Sequence, residues 1–225
     1  MDKICLFVHS ATEALYLLLI VLHKAMIRQD PLLPLSSARA SQRRRLLGAA
    51  LAWPLATLAA PATACPPLLA HTFLRLQDET PVPLCQFAGQ VLLVVNTASL
   101  CGFTGQYSGL EALDRRWRAR GLAVIGFPSN DFGRQEPGSA QQIADFCENT
   151  FGVRFAMMSK TTVVGRDAHP FFRALAQRTG SAPQWNFHKY LIARDGQSVR
   201  SYPSAVASDN PQLLKDIEQA LLVKL

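Results

Sequence analysis

One cysteine stands where a single thiol could do chemistry. In the segment NTASLCGFTGQY, residues 96–107, Cys101 follows an apolar run and precedes a stretch with helical spacing. A thiol attacks only as the thiolate, and the N–H groups of a helix N-terminus lower the pKa of a cysteine placed there. Thr104 occupies the position of the second cysteine in a Cys-x-x-Cys pair, which excludes a local dithiol. A lone thiolate suits attack on a peroxide O–O bond to give a sulfenic acid, and the alternative is a buried structural cysteine.

Two kinds of element must form around Cys101 to place it at such a corner. Residues 91–97, VLLVVNT, are a continuous apolar run that predicts a buried central strand, and residues 122–127, LAVIGF, predict a second. Between them lies a predicted helix that ends near Gly121. Its apolar positions recur every three or four residues, at Tyr107, Leu110, Leu113 and Trp117.

The rest of the chain completes a mixed α/β pattern. Residues 71–87 predict a hairpin, and residues 189–203 predict two strands about an Asp195-Gly196 turn. Helices are predicted over residues 140–151, with Ser139 as N-cap, over 168–178 and over 210–222. We therefore expect an α/β protein with a thioredoxin-like fold, in which an N-terminal β-hairpin precedes a mixed central sheet flanked by helices.

Three segments carry a family resemblance. NTASLCGFTGQYSGLEAL, GFPSNDFGRQEPGS and WNFHKYLI resemble the three signature blocks of the glutathione peroxidase family, and the similarity extends from about residue 70 to the C-terminus. Matched residue by residue, the resemblance implies that Cys101 is the peroxidatic residue and that Gln135, Trp185 and Asn186 assist it. It also implies a thiol-dependent peroxidase that reduces hydrogen peroxide and organic or lipid hydroperoxides in oxidative-stress defence, without a bound cofactor.

The three partner residues have side chains that suit this chemistry. The Gln and Asn amides and the Trp indole donate hydrogen bonds without carrying charge. They can hold a thiolate or a peroxide and stabilise negative charge on the departing oxygen. The alternatives are a core aromatic for Trp185 and a loop residue that bonds backbone groups for Gln135. For the whole protein, the alternative is a non-catalytic sensor or adaptor on the same fold, in which Cys101 is only a reactive thiol.

The role of a second thiol stays open. Ser129 stands where several family members carry cysteine, and a resolving cysteine is implied on the next helix in a Phe-x-Cys arrangement. Here the order is Phe146-Cys147. Ile143, Phe146 and Cys147 are spaced i, i+3 and i+4, which predicts that Cys147 faces the core. Buried packing and a resolving role both fit, and resolution requires local unwinding because disulfide Cα atoms lie within about 7 Å of each other.

The remaining cysteines after a leader is removed are Cys65 and Cys85, which flank the predicted hairpin. Four cysteines allow three pairings. In an exported protein we expect a structural Cys65 to Cys85 disulfide that ties down the start of the domain. Two unpaired thiols in a reducing compartment are the alternative.

Residues 1–64 differ in composition from the rest, and we interpret them as a leader that precedes a peroxidase domain over residues 65–225. The stretch SQRRRLLGAALAWPLATLAAPATAC, residues 41–65, passes from basic to apolar to a small-x-small site, as signal peptides do. It resembles a twin-arginine export signal, which predicts a periplasmic protein, or a cytoplasmic one if the leader is not functional. Translation could also start at Met26. The apolar run at residues 14–22 is too short to span a membrane, and a surface anchor is its alternative role.

The distribution of charged residues and histidines argues against two kinds of binding partner, nucleic acids and metal ions. Of the net charge of +7, residues 1–64 contribute seven Lys/Arg against three Asp/Glu, so the remainder carries only a small excess. Without a basic stripe interleaved with aromatics, this distribution argues against nucleic-acid binding. His71, His169 and His188 are scattered and show no metal-ligand spacing. We expect His169 at a helix start and His188 at a surface strand position.

The remaining expectations concern assembly and the reductant. The segment RTGSAP between Gln177 and Trp185 is short, and the resemblance implies a monomer with an open site. A hydroperoxide is the expected substrate. A thioredoxin-like protein or a small thiol is the expected reductant. A further alternative for the function of the chain is a thiol-disulfide oxidoreductase, but Thr104 stands where its second cysteine would be required.

Overall fold

The computed structural model describes residues 64–223, so the predictions for leader residues 1–63 lie outside it. Within the described range, seven strands and four α-helices form, and none of these helices is long and apolar enough to cross a membrane. The strands are β1 (Thr72–Leu74), β2 (Pro81–Pro83), β3 (Val91–Thr97), β4 (Leu122–Pro128), β5 (Ala156–Met157), β6 (Lys189–Ile192) and β7 (Val199–Tyr202). The helices are α1 (Gln106–Trp117), α2 (Ala140–Phe151), α3 (Pro170–Thr179) and α4 (Pro211–Leu222).

Five of these strands form one mixed sheet in the order β5-β4-β3-β6-β7. β3 pairs in parallel with β4 and antiparallel with β6, while β6 pairs antiparallel with β7. β1 and β2 form a separate antiparallel hairpin, as predicted. The expected thioredoxin-like architecture of a mixed sheet with an N-terminal hairpin is therefore present.

The central strand β3 is buried on both faces. Val91, Leu93 and Val95 pack in a cluster with residues of α1, α2 and α4. Leu92 and Val94 pack on the opposite face with residues of α3 and the hairpin. Because both faces are covered, the strand needs apolar residues at successive positions rather than alternate ones.

Capping residues set the boundaries of α2 and the start of α3, and two of them, Ser139 and His169, were predicted from the sequence. The Ser139 hydroxyl accepts from the Gln142 N–H and the Gln142 side chain accepts from the Ser139 N–H, which closes the first turn of α2. Gly152 ends that helix with φ of 64° and donates its N–H to the Glu148 carbonyl. His169 caps α3, where its Nδ1 accepts from the Phe171 N–H, so its predicted role at a helix start is confirmed.

One strand was not predicted from the sequence. β5 is only two residues long and pairs in parallel with β4 through Ile125 with Ala156 and Gly126 with Met157. So short a segment shows no recognisable periodicity, and its pairing depends on where α2 returns the chain to the sheet.

Candidate active site

Cys101 lies in a series of turns between β3 and α1. The Thr104 hydroxyl accepts from the Cys101 N–H at 3.0 Å, and the Thr104 N–H donates to the Cys101 carbonyl at 3.1 Å. The same hydroxyl donates to the Cys101 carbonyl at 2.7 Å. Thr104 therefore holds the turn from the position that a second cysteine would occupy in a dithiol motif.

The sulfur of Cys101 faces a backbone donor within this turn. The Phe103 N–H donates to Cys101 Sγ at 3.4 Å, and the residue is half-buried. The expectation that Cys101 itself lies at the helix N-terminus is wrong, since α1 begins five residues later at Gln106. Intervening turns supply the N–H donor, because the chain winds through i, i+3 hydrogen bonds before the regular helix begins.

Gln135 comes from a loop after β4 that is folded by two left-handed residues. Gly133 and Arg134 have φ of 60° and 52°, and this reverses the chain just before Gln135. The Gln135 carbonyl accepts from the Leu100 N–H at 3.0 Å, which ties the loop to the residue before Cys101. In the same loop the Asn130 side chain accepts from the Glu136 N–H at 2.9 Å.

Asn186 and Trp185 reach the same place from the segment before β6. The Asn186 side-chain amide donates to Gln135 Oε1 at 2.9 Å and is fully buried. The Trp185 ring lies 5.9 Å from the Phe132 ring, which belongs to the Gln135 loop, and it is 39% exposed. The structure thus joins Gln135 to Asn186 directly and to Cys101 through Leu100, with Trp185 open to solvent beside them.

The sequence of this chain is similar to the sequences of known proteins. A profile of the glutathione peroxidase family matches residues 70–176. The hydroperoxy fatty acid reductase gpx1 of Synechocystis is 46% identical over an alignment of 154 residues, and the match covers 64% of this chain and 90% of that protein. This chain belongs to the glutathione peroxidase family.

Further comparisons agree with this membership. The thioredoxin/glutathione peroxidase BtuE of Escherichia coli is 38% identical over an alignment of 160 residues, and the match covers 60% of this chain and 87% of BtuE. The crystal structure of GPX1 from T. cruzi superposes with a TM-score of 0.56 at 26% identity and covers 68% of this chain and 95% of that one. The chain has the thioredoxin fold and is a thiol-dependent peroxidase, and a non-catalytic sensor or adaptor is not favoured.

Two residues that shape the site of this peroxidase were missed in the sequence. Asn96, near the end of β3, donates from its side-chain amide to the Trp185 carbonyl at 3.1 Å, and its backbone carbonyl accepts from the Phe187 N–H at 2.6 Å. Lys189, the first residue of β6, donates to the Phe187 carbonyl at 2.6 Å. The available signal for Asn96 was a polar residue after an apolar run, and the signal for Lys189 was a lysine at the start of an otherwise apolar strand.

Cys147 lies on the buried face of α2, as its spacing predicts. It is 2% exposed and packs in the core cluster that also contains Tyr107. Burial raises the pKa of its thiol to about 11. Cys101 and Cys147 are both free thiols here, so a resolving role for Cys147 stays a prediction.

Cys65 and Cys85 are bonded to each other, with Cα atoms 5.3 Å apart, in the pairing expected from the sequence. The bond joins the first residues of the described chain to the short 3₁₀ helix Leu84–Phe87 after the hairpin.

The prediction for His188 is wrong. Its side chain is 2% exposed rather than at the surface, its Nε2 lies 2.8 Å from the Ser201 hydroxyl, and burial lowers the pKa of its imidazole to about 4. Alternation along a strand does not reveal whether the outer face is covered, and here Tyr190 and β7 pack against it. Within residues 64–223, no three His, Cys, Asp or Glu side chains are placed to hold a metal ion.

Proposed function

We propose that Cys101 is the peroxidatic residue and that Gln135, Trp185 and Asn186 are its catalytic partners. The hydrogen bond between the Asn186 and Gln135 amides carries this proposal, because it joins two chain segments beside the turn that holds Cys101. In the reaction, Cys101 Sγ attacks as the thiolate on one peroxide oxygen and the O–O bond breaks. The sulfur is oxidised by two electrons to a sulfenic acid, and the departing oxygen takes a proton to leave as an alcohol or as water.

The partners stabilise the charge that moves during this step. Negative charge passes from the sulfur to the departing oxygen, and neutral N–H donors can follow it without an ion pair that would lower the nucleophilicity of the thiolate. The Asn186 amide, the Gln135 amide and the Trp185 indole are donors of this kind.

Gln135→Ala tests this assignment. We expect the rate constant for Cys101 oxidation by hydrogen peroxide to fall on the order of a hundredfold, as for loss of one preorganised donor. Rapid-mixing measurement of sulfenic acid formation provides the value. The matched control is Gln184→Ala, since Gln184 is exposed and its amide donates to the Ala182 carbonyl. Equal rates for the two variants would contradict the proposed role.

Bulky lipid hydroperoxides fit the proposed substrate range alongside hydrogen peroxide. Two exposed apolar side chains belong to the site segments: Leu100, immediately before Cys101, is 65% exposed, and Trp185, immediately before Asn186, is 39% exposed. The Synechocystis relative is named a hydroperoxy fatty acid reductase. Turnover of a fatty acid hydroperoxide slower than a hundredth of the hydrogen peroxide rate would contradict this extension.

The proposed reductant is a thioredoxin-like protein acting through Cys147. After α2 unwinds locally, the Cys147 thiolate attacks the sulfenic sulfur of Cys101, water leaves, and a disulfide forms that an external dithiol reduces. The name of the E. coli relative includes thioredoxin, which supports this route. Direct attack by a small thiol is the competing route. Steady-state rates with thioredoxin and with glutathione, measured side by side on wild type and Cys147→Ser, separate the two.

We also propose that the chain is exported to the periplasm, with residues 1–64 as its leader, and acts there as a monomer. The Cys65 to Cys85 bond supports an oxidising compartment. N-terminal sequencing of the mature protein tests the cleavage, and a start upstream of residue 60 would contradict it.

A further inference from the structure

Lys189 is a charged residue buried without a carboxylate partner. Its side chain is 0% exposed, and the ion pairs formed within residues 64–223 do not include it. Its Nζ donates instead to two backbone carbonyls, that of Phe187 at 2.6 Å and that of Ser204 at 3.5 Å. Burial lowers the pKa of this ammonium to about 7. An apolar side chain of similar length would fill the same space without this desolvation cost.

The first of these carbonyls belongs to a residue with an unfavourable backbone conformation. Phe187 has φ of 63°, a left-handed conformation that bulky residues rarely adopt. Its ring is fully buried and lies edge-on to Tyr107 at 5.3 Å, so the residue cannot relax by turning its side chain outward. Conformations of this kind persist when the surroundings hold them in place.

Hydrogen bonds on both sides of Phe187 provide that hold. The backbone carbonyl of Asn96 accepts from the Phe187 N–H and the Asn96 side chain donates to the Trp185 carbonyl, while Lys189 Nζ donates to the Phe187 carbonyl. The residue between these fixed points is Asn186, whose amide meets Gln135. The direction of the Asn186 side chain therefore depends on the backbone that Lys189 and Asn96 clamp.

The second carbonyl connects Lys189 to the other side of the site. Ser204 also accepts from the Gln106 side chain at 2.8 Å, and Gln106 is the first residue of α1, the helix that follows Cys101. Lys189 thus bonds both the turn that carries Trp185 and Asn186 and a carbonyl shared with the helix after Cys101.

We propose that Lys189 is a positioning residue for peroxide reduction, which fixes the left-handed turn at Phe187 so that Asn186 and Trp185 stay directed at the Cys101 site. The proposal rests on the proposed roles of Asn186 and Trp185. Lys189 does not touch the peroxide. It acts through the carbonyl of Phe187, and a displacement of about 1 Å in such donors is enough to lower a rate by up to about a hundredfold.

The test compares two half-reactions in Lys189→Met. We expect the rate constant for oxidation of reduced Cys101 by hydrogen peroxide to fall by about tenfold to a hundredfold, while the rate at which thiol restores the oxidised protein changes by less than about threefold. Lys189→Arg, which keeps a cationic donor, should recover most of the oxidation rate. The control is Lys215→Met, since Lys215 is exposed on α4.

Several outcomes would overturn the proposal. A wild-type oxidation rate in Lys189→Met would do so, and so would equal slowing of both half-reactions, which indicates a general structural defect. If Lys189→Met does not fold, Lys189→Gln is measured in the same way, and failure of both to fold assigns Lys189 to the fold alone. If the wild-type protein consumes hydrogen peroxide no faster than Cys101→Ser does, the proposed function fails, rather than the proposed role of Lys189.

Discussion

Cys101 and Cys147 are chemically identical thiols in opposite surroundings. Cys101 lies in a half-buried turn with the Phe103 N–H directed at its sulfur at 3.4 Å. Cys147 lies inside α2 against the apolar core, and burial raises the pKa of its thiol to about 11. The fold therefore keeps one free thiol half-buried in a turn and the other inside the core, so a reagent in solvent reaches Cys147 only after local opening.

Removal of each thiol in turn should change activity most. Cys101→Ser should reduce peroxide consumption to the uncatalysed background, because no other described thiol is accessible. Cys147→Ser should leave the first oxidation of Cys101 unchanged and lose turnover with thioredoxin. Single-turnover and steady-state assays on both variants provide the measurement. A first oxidation equally slow in both variants would remove the distinction between the two thiols.

Alkylation gives the next largest effect. At pH 8, the raised pKa of Cys147, about 11 instead of the ordinary 9, leaves about a hundredfold less thiolate than an ordinary cysteine has. We expect iodoacetamide to modify Cys101 at least a hundredfold faster than Cys147 in the native reduced protein, as measured by peptide mass spectrometry. In denaturant the alkylation rates of the two thiols should become equal. A difference that persists there would show that local sequence, rather than the fold, causes the difference in reactivity.

A more modest change is expected in the stability of the protein at high pH. Burial raises the folded-state pKa of Cys147 above its unfolded value, so the unfolded state loses this proton first as the pH rises. The corresponding stability is present below pH 9 and is lost toward pH 11, by at most about 3 kcal/mol. Urea unfolding of Cys101→Ser, with and without Cys147→Ala, isolates the contribution. An identical pH slope in the two proteins would contradict it.

Local sequence patterns predicted much of the fold because they reflect local physics. The spacing of Ile143, Phe146 and Cys147 correctly places Cys147 against the core, since helical geometry alone decides which positions share a face. The capping residues Ser139 and His169 were also recognisable, because their side chains bond backbone groups only two or three residues away. The resemblance, rather than periodicity, drew attention to Gln135, Trp185 and Asn186.

Long-range packing decided what local patterns could not. The burial of His188 depends on a neighbouring strand and on rings that cover the outer face of β6, and the burial of Lys189 depends on carbonyls from Phe187 and Ser204. The five-residue offset between Cys101 and α1 likewise depends on successive turn hydrogen bonds, which sequence spacing does not distinguish from a helix.

The helix that carries Cys147 is closed at both ends, by the Ser139 and Gln142 bonds at its start and by left-handed Gly152 at its finish. If the two thiols form a disulfide as proposed, local opening of this helix limits the rate at which that disulfide forms. The lifetime of the Cys101 sulfenic acid is then set by how often α2 opens. Cosolvents that stabilise helices should therefore lengthen this lifetime.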